Sequence, residues 1–156
     1  MKKADPAADG SKSRGGRRRA REFALQGLYQ WLVGGQDAPA ILAHLAESDD
    51  YAAAEHEYVE VLLRGVIANA AALRDALAPF LDRPAKELSP VEHAILLIGA
   101  YELVHRPEIP HRVVINEAIE IAKLYGGTDG HKYVNGVLDR FARIARAAEQ
   151  GTGTAL

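Results

Sequence analysis

Apolar residues recur at intervals of three and four along most of the chain, and this spacing limits the possible folds more than any other feature. No stretch alternates apolar and polar residues, and no turn dipeptide joins two strand-like runs. The spacing predicts six to seven helices, with the main segments over about 17–34, 37–47, 52–81, 89–106, 111–125 and 129–148. We therefore expect an all-α fold.

The fourth of these segments has the clearest helix start. Ser89 suits the N-cap, Pro90 the first helical position, and Glu92 stands three residues after the serine, which is the pattern of a capping box. The apolar run 95–98 that follows is nearly continuous, so we expect this helix to be central and buried. In the last helix, Gly136 is expected to permit close approach of a neighbouring helix.

The charges of the chain are unevenly distributed. Residues 1–21 contain eight basic and two acidic residues, a net charge of +6, whereas the remaining chain contains 11 basic and 19 acidic residues, a net charge of −8. A basic segment on an acidic body attracts a phosphate polymer to one end of the molecule. The charge pattern therefore predicts an anionic partner.

Four arginines, Arg17, Arg18, Arg19 and Arg21, fall at the start of the predicted first helix. Cations at a helix N-terminus oppose the helix dipole, so stability alone does not account for them. Guanidinium groups contact phosphates bidentately and stack on bases, which favours nucleic-acid contact. The alternative is a basic end that only improves solubility.

A second segment, GGTDGHKYVNG, places Asp129, His131, Lys132 and Tyr133 on the first turn of the last helix. Backbone N–H groups at a helix N-terminus favour an anion, Lys132 adds positive charge, and an aromatic ring can stack on an unpaired base. A helix cap beside a core tyrosine explains the same residues equally well, and the pattern alone leaves both interpretations open.

Catalytic and metal-site patterns are missing from the sequence. There is no cysteine, no Walker loop, no G-x-G-x-x-G, no H-E-x-x-H and no G-x-S-x-G. Glu102 and His105 have the spacing of a di-iron ligand pair, but the chain has no second copy of this motif. We therefore predict no catalytic residue, no cofactor and no metal. Without a long apolar run or a signal peptide, the chain is expected to be soluble and cytoplasmic.

Four collinear blocks resemble the NusB family of bacterial transcription antitermination factors. The blocks are RRRAREFALQGLYQW, SPVEHAILLIGAYEL, VVINEAIEIAKLYG and DGHKYVNGVLDRFA, which lie in the order and spacing of the family from about residue 17 to 146. The resemblance implies an all-α fold of two small helical subdomains packed face to face. We assign residues 16–148 to one NusB-like RNA-binding helical domain. Residues 1–15 have no periodicity and cannot bury enough apolar surface to offset their ordering entropy, so we expect a disordered basic tail there. Residues 149–156 carry no structural signal and are expected to form a flexible tail.

The resemblance also implies a function without catalysis. Proteins of this family pair with the small-subunit ribosomal protein NusE, bind the single-stranded boxA element of nascent RNA, and act with other Nus factors to make RNA polymerase resist termination. By similarity, Tyr29 and Glu92 belong to the NusE interface, and the RNA-binding residues are Arg17, Arg18, Arg19, Arg21, Asp129, Lys132 and Tyr133.

Two alternatives remain at this stage. Some RNA cytosine methyltransferases have a NusB-like N-terminal domain, so the chain could be a module associated with ribosomal RNA modification. It could also be a structural dimerisation domain that pairs through an apolar patch around Tyr29 and Trp31. The sequence does not decide whether the chain forms a homodimer.

Overall fold

The structure is a computed structural model, and it describes residues 6–147, with side chains described from residue 15 onwards. The expectations for residues 1–5 and for the tail 149–156 lie outside the described residues. Within the described part there is no strand, which confirms the all-α prediction. The α-helices are α1 (Pro6–Gly34), α2 (Ala38–Leu45), α3 (His56–Leu77), α4 (Pro90–His105), α5 (His111–Tyr125) and α6 (Gly130–Ala145).

Three short 3₁₀ turns complete the secondary structure, at Asp49–Ala53, Ala78–Phe80 and Ala85–Glu87. The chain divides within α3 into two compact units, Met1–Ile67 and Ala68–Leu156. This agrees with the two subdomains that the resemblance implied.

Two helix boundaries differ from those predicted. Helix α1 begins at Pro6, well before Arg17, so the backbone of residues 6–15 is helical where a disordered tail was expected. This segment has no apolar stripe, and a helix without one gives no periodic signal. Helix α3 begins at His56 and not near Ala52, because the preceding residues form a 3₁₀ turn, and it runs unbroken until Leu77, two residues before Pro79.

In the first unit, Gly27 brings α1 close to α2 and α3. A Cβ atom at Gly27 would lie 2.9 Å from Cγ2 of Ile41 and 3.0 Å from Cδ1 of Leu63. Both contacts are closer than ordinary van der Waals distance, so only glycine fits without displacing these buried side chains. The buried residues Ala20, Phe23, Ala24 and Leu28 belong to the packing face of α1.

In the second unit, α4 is the central helix, as predicted. All residues from His93 to Ala100 are buried, and α5 and α6 both pack on α4. The predicted cap is present, because Ser89 Oγ accepts a hydrogen bond of 3.1 Å from the Glu92 amide.

The glycine that permits close approach in this unit is Gly99 and not Gly136. A Cβ at Gly99 would lie 2.7 Å from Cδ1 of Leu138, whereas a Cβ at Gly136 would meet only Arg140, at 3.7 Å. The prediction for Gly136 was wrong because a glycine in a helical pattern does not show which face touches a neighbour.

Arg146, at the end of α6, caps the C-terminus of α4. Its Nε donates to the Leu103 carbonyl at 2.6 Å, and its terminal nitrogen donates to the carbonyls of Glu102 at 3.2 Å and Arg106 at 3.1 Å. The Glu102 and Arg106 carbonyls also accept the backbone amides of Arg106 and Ile109. Leu103 is followed four residues later by Pro107, which has no N–H, so Arg146 supplies a donor to the Leu103 carbonyl. Arg146 therefore fixes the end of α6 to the end of α4.

Candidate nucleic-acid interface

The four arginines of the predicted RNA-binding segment lie on α1 in the first unit, and they differ in exposure. Arg18 is exposed. About a third of the side chains of Arg17 and Arg19 is exposed, at 32% and 33%. Arg21 is only 4% exposed. Arg18, and to a lesser extent Arg17 and Arg19, therefore offer more surface for phosphate contact than Arg21.

Arg21 is buried, unlike the other three arginines. Arg17 and Arg21 are one helical turn apart, and both guanidinium carbons lie over the Tyr58 ring, at 3.8 and 5.8 Å from its centre. A residue four positions after another lies on the same face of a helix, and here that face meets α3. Arg21 thus belongs to the packing face of α1, and its role in RNA binding stays a prediction.

Arg17 is bound to the start of α3. One of its terminal nitrogens is 3.2 Å from Glu55 Oε1, and the Glu55 amide donates to the Gly16 carbonyl at 2.9 Å. The guanidinium therefore has both an aromatic and an acidic partner within the first unit.

Arg19 is held by two carboxylates, those of Glu22 and Asp50. Burial lowers the pKa of Arg19, but the hydrogen bonds and charges of these carboxylates outweigh it, so its pKa is raised overall. The Ser48 hydroxyl donates to Asp50 Oδ1 at 2.6 Å and, together with the Arg19 charge, lowers the pKa of the Asp50 carboxyl. Asp50 and Glu55 were not identified from the sequence, because 31 and 38 residues separate them from their arginine partners.

The second predicted segment begins α6, in the second unit. Asp129 is at the N-cap position, but its side chain makes no cap hydrogen bond. Its Oδ1 lies instead 3.4 Å from Lys132 Nζ, and both side chains are largely exposed. This pair is therefore a solvent-facing ion pair at the start of a helix.

Tyr133, on the same turn, is half-buried and fixed by its hydroxyl group. The hydroxyl donates to Asp82 Oδ1 at 3.0 Å and accepts from the Asp82 amide at 3.3 Å. Burial raises the pKa of the Tyr133 hydroxyl, and the Asp82 charge adds to the rise. The guanidinium carbon of Arg83 lies 5.4 Å from the centre of the Tyr133 ring. Asp82 and Arg83 are distant from Tyr133 in the sequence, and no local pattern indicated them.

The residues predicted for the protein interface are divided between the two units. Tyr29, on α1, is 42% exposed, and Val33, one turn later, is also exposed. Glu92, in the second unit, is partly exposed, and its Oε2 lies 3.1 Å from the position that a Cβ of Gly130 would occupy. The carboxylate of Glu92 therefore lies against the first residue of α6, beside Asp129.

Among the described residues, no three or more His, Asp or Glu side chains are arranged to hold a metal ion. In the same part of the chain, no helix is long and apolar enough to cross a membrane.

The comparisons with known proteins agree with the helix pattern and its motifs. The model of the NusB family matches residues 18–143. The transcription antitermination protein NusB of Bordetella pertussis is 55% identical over 141 residues, which are 88% of this chain and 92% of that protein.

Two solved structures share the fold. NusB of T. maritima is 33% identical, with a TM-score of 0.71, and the match covers 81% of this chain and 90% of that one. A crystal structure of the antitermination factors NusB and NusE in complex with dsRNA contains a chain that is 22% identical, with a TM-score of 0.72, over 81% of this chain and 96% of that one. Because the family model spans nearly all of the described helices and relatives share more than half of the aligned residues, this chain belongs to the NusB family.

Proposed function

We propose that this protein is a transcription antitermination factor that binds the boxA element of nascent ribosomal RNA as a heterodimer with the ribosomal protein NusE. Together with other Nus factors, the complex helps RNA polymerase to resist termination. The protein acts in the cytoplasm and by binding alone, without a catalytic step. Residues 16–148 form its RNA-binding domain.

Family membership supports this function. The relative from Bordetella pertussis is an antitermination protein and matches over 92% of its own length. This coverage favours the antitermination factor over a module associated with ribosomal RNA modification. A NusB of the same fold has been crystallised with NusE and dsRNA, as expected for a protein that acts on RNA together with this partner.

The observation that carries the RNA-binding proposal is the surface position of the arginine segment on α1. Arg18 is exposed, about a third of the Arg17 and Arg19 side chains is exposed, and Arg21 lies on the packing face. In the second unit, Lys132 and Tyr133 supply a cation and a partly exposed ring beside Asp129. Phosphates are bound by the arginines and the lysine, and an unpaired base stacks on the tyrosine.

The NusE-binding residues are Tyr29 and Glu92. Tyr29 and Val33 offer exposed apolar surface on one face of α1, and an aromatic residue in such a patch is typical of interface centres. Outside the basic segment the chain has a net charge of −8, which complements a basic ribosomal protein. The basic segment thereby stays available for RNA.

A salt titration tests the proposal. Binding to boxA RNA and to a scrambled RNA of equal length is measured with and without NusE, over a range of salt concentrations. We expect tighter binding to boxA, a further increase with NusE, and a steep decrease with salt. Equal and weak binding to both RNAs in both conditions would refute the proposal and favour self-association through the Tyr29 patch.

A further inference from the structure

Residues 80–84, which run from the end of the second 3₁₀ turn to the start of the third, are fixed to α6 by three separate contacts. Tyr133 binds Asp82 through its hydroxyl, Arg140 donates to the Phe80 carbonyl at 2.8 Å, and the rings of Phe80 and Phe141 meet edge to face with their centres 6.0 Å apart. The adjacent residues Arg140 and Phe141 follow Tyr133 by about two turns of α6. This segment is thus held along α6, with Asp82 beside Tyr133.

Both hydrogen-bonding capacities of the Tyr133 hydroxyl group are used by Asp82. The hydroxyl donates its proton to Oδ1 and accepts the backbone amide of the same residue. Rotation of the ring about its own axis leaves these bonds in place, but a tilt of the ring breaks them. The long axis of the ring is therefore fixed relative to α6, and an aromatic side chain held in one position loses less freedom when a base stacks on it.

Arg83 brings a guanidinium group over the Tyr133 ring. Its Nε and one terminal nitrogen donate to the two Asp82 oxygens at 2.8 and 2.9 Å, and its guanidinium carbon is 5.4 Å from the Tyr133 ring centre. About 43% of the Arg83 side chain remains exposed. A guanidinium has five N–H donors, so the two bonds to Asp82 leave others that can reach a phosphate.

Resting on the proposed RNA-binding function, we propose that Asp82 and Arg83 extend the RNA-binding surface around Tyr133, with Asp82 as a positioning residue and Arg83 as a direct RNA contact. Asp82 holds the tyrosine ring and the guanidinium in one arrangement. The ring takes an unpaired base on its exposed face, and Arg83 binds the phosphate of the same or the adjacent nucleotide. The carboxylate charge of Asp82, compensated by Arg83, does not repel the RNA strongly.

The arrangement distinguishes Tyr133 from a phenylalanine at the same position. A phenylalanine ring has the same stacking area but lacks both bonds to Asp82. Because the stacking energy is comparable, the difference between the two residues is in the positioning of the ring and not in its contact with the base. A comparison of Tyr133→Phe with the unaltered chain therefore measures what the bonds to Asp82 contribute to the positioning of the ring.

The experiment uses the full chain with a boxA RNA in which one adenine is replaced by the fluorescent base 2-aminopurine. Stacking quenches this base, so the quenching on binding reports the base-to-ring contact, and the salt dependence of the affinity reports phosphate contacts. The variants are Tyr133→Ala, Tyr133→Phe, Asp82→Ala, the Tyr133→Phe/Asp82→Ala double variant, and Arg83→Ala. Arg143→Ala is the matched control, because Arg143 is an exposed α6 arginine paired with Asp139 at 3.0 Å.

We expect Tyr133→Ala to abolish the quenching and to weaken binding by about 5- to 100-fold. Tyr133→Phe and Asp82→Ala should each reduce the quenching, and the double variant should reduce it no further than either single one. Arg83→Ala should lower the salt slope by about 0.7, the value for one phosphate contact to a single strand, and Arg143→Ala should leave the slope unchanged.

The possible results distinguish failure of the inference from failure of the proposed function. The inference is wrong, and the proposed function stands, if Tyr133→Ala weakens binding but the losses of quenching in Tyr133→Phe and Asp82→Ala add in the double variant. The same conclusion follows if Arg83→Ala leaves the salt slope unchanged, as Arg143→Ala does. If Tyr133→Ala changes neither the quenching nor the affinity of a chain that does bind boxA, the inference and the assignment of Tyr133 both fail. If the unaltered chain does not discriminate boxA, the proposed function itself fails, and the inference with it.

Discussion

The guanidinium carbon of Arg17 lies 3.8 Å from the centre of the Tyr58 ring, while one of its nitrogens is 3.2 Å from Glu55 Oε1. The aromatic contact occupies the flat face of the guanidinium, and the carboxylate occupies its edge. Under the proposed function, a phosphate that binds the Arg17 nitrogen facing Glu55 has to displace that carboxylate, whose negative charge also repels the phosphate. We therefore expect the acidic residues around the arginine segment to lower its affinity for RNA.

From this competition we predict that Glu55→Gln tightens RNA binding. Loss of the carboxylate charge frees Arg17 while Tyr58 continues to hold it, so affinity should rise by about 2- to 5-fold at low salt, the range of an exposed ion pair. Asp50→Asn should act in the same direction through Arg19. Fluorescence anisotropy with boxA and scrambled RNA at several salt concentrations measures the effect.

The matched control for Glu55→Gln is Glu60→Gln. Glu60 is an exposed acid on α3 that pairs with Arg64 at 2.7 Å and not with an arginine of the segment. Both variants remove one negative charge, so a general charge effect would raise affinity equally in both. An equal increase for the two variants would contradict the competition between Glu55 and RNA.

Substitution of Arg18 should affect RNA binding, whereas substitution of Arg21 should affect stability. Arg18 is exposed, so Arg18→Ala should lower the salt slope by about 0.7 and leave the unfolding temperature nearly unchanged. Arg21 is buried over the Tyr58 ring, so Arg21→Ala should cost about 1 to 3 kcal/mol of the free energy of unfolding. Urea denaturation and RNA titration of both variants test this division. An Arg21→Ala protein that is as stable as the unaltered chain but has a reduced salt slope would mean that Arg21 contacts the RNA.

The sequence predicted those features that depend on neighbouring residues. The cap at Ser89 and the buried run of α4 follow from local spacing and backbone chemistry, whereas α3 ends at Leu77 and not at the predicted residue 81. The acidic partners of the arginines and the Asp82 contact of Tyr133 depend on residues 31 to 51 positions away. Side-chain type alone does not show which distant acid meets which base.

The resemblance supplied candidate residues but not their environments. It assigned Arg21 to RNA together with its neighbours, and a run of arginines does not show that one of them lies over a packed tyrosine. For Glu92, the local pattern predicted the capping box and the resemblance the NusE interface. The structure places the Glu92 carboxylate against Gly130 and its amide on the Ser89 cap. The exposure of each side chain depends on how neighbouring helices pack, which no single segment determines.

The two helical glycines of the second unit should respond to alanine in opposite directions. Gly99→Ala places a methyl group 2.7 Å from the buried Leu138 side chain and should reduce the free energy of unfolding by about 1 to 3 kcal/mol. Gly136→Ala meets only ordinary contacts and gains helix propensity, so it should increase stability by about 0.5 to 1 kcal/mol. Thermal and urea unfolding of both variants measure the sign. If both alanines stabilise the protein, Leu138 repacks at little cost and the close approach at Gly99 is not required.

His93 should make stability depend on pH. Arg74 Nε donates to His93 Nε2 at 3.0 Å, so this nitrogen must be unprotonated in the folded state. Burial, with the nearby Arg74 charge, lowers the pKa of His93 from 6.5 to about 4. Between these two values the unfolded chain binds a proton that the folded chain does not, so the free energy of unfolding falls as the pH drops from about 6.5 towards 4. Above pH 6.5 the histidine is neutral in both states and its contribution is constant.

The variant His93→Gln tests this dependence, because its side-chain oxygen can accept the Arg74 bond but does not titrate. The carboxylates of the chain also titrate in the acid range, so the two proteins are compared at each pH. Urea denaturation at pH 7.5, 6.0 and 5.0 gives the difference between their free energies of unfolding. The unaltered chain should lose more stability than His93→Gln over this interval, by about 1 to 3 kcal/mol. Parallel pH profiles would mean that His93 accepts a proton in the folded state at its ordinary pKa, and that the Arg74 bond does not hold it neutral.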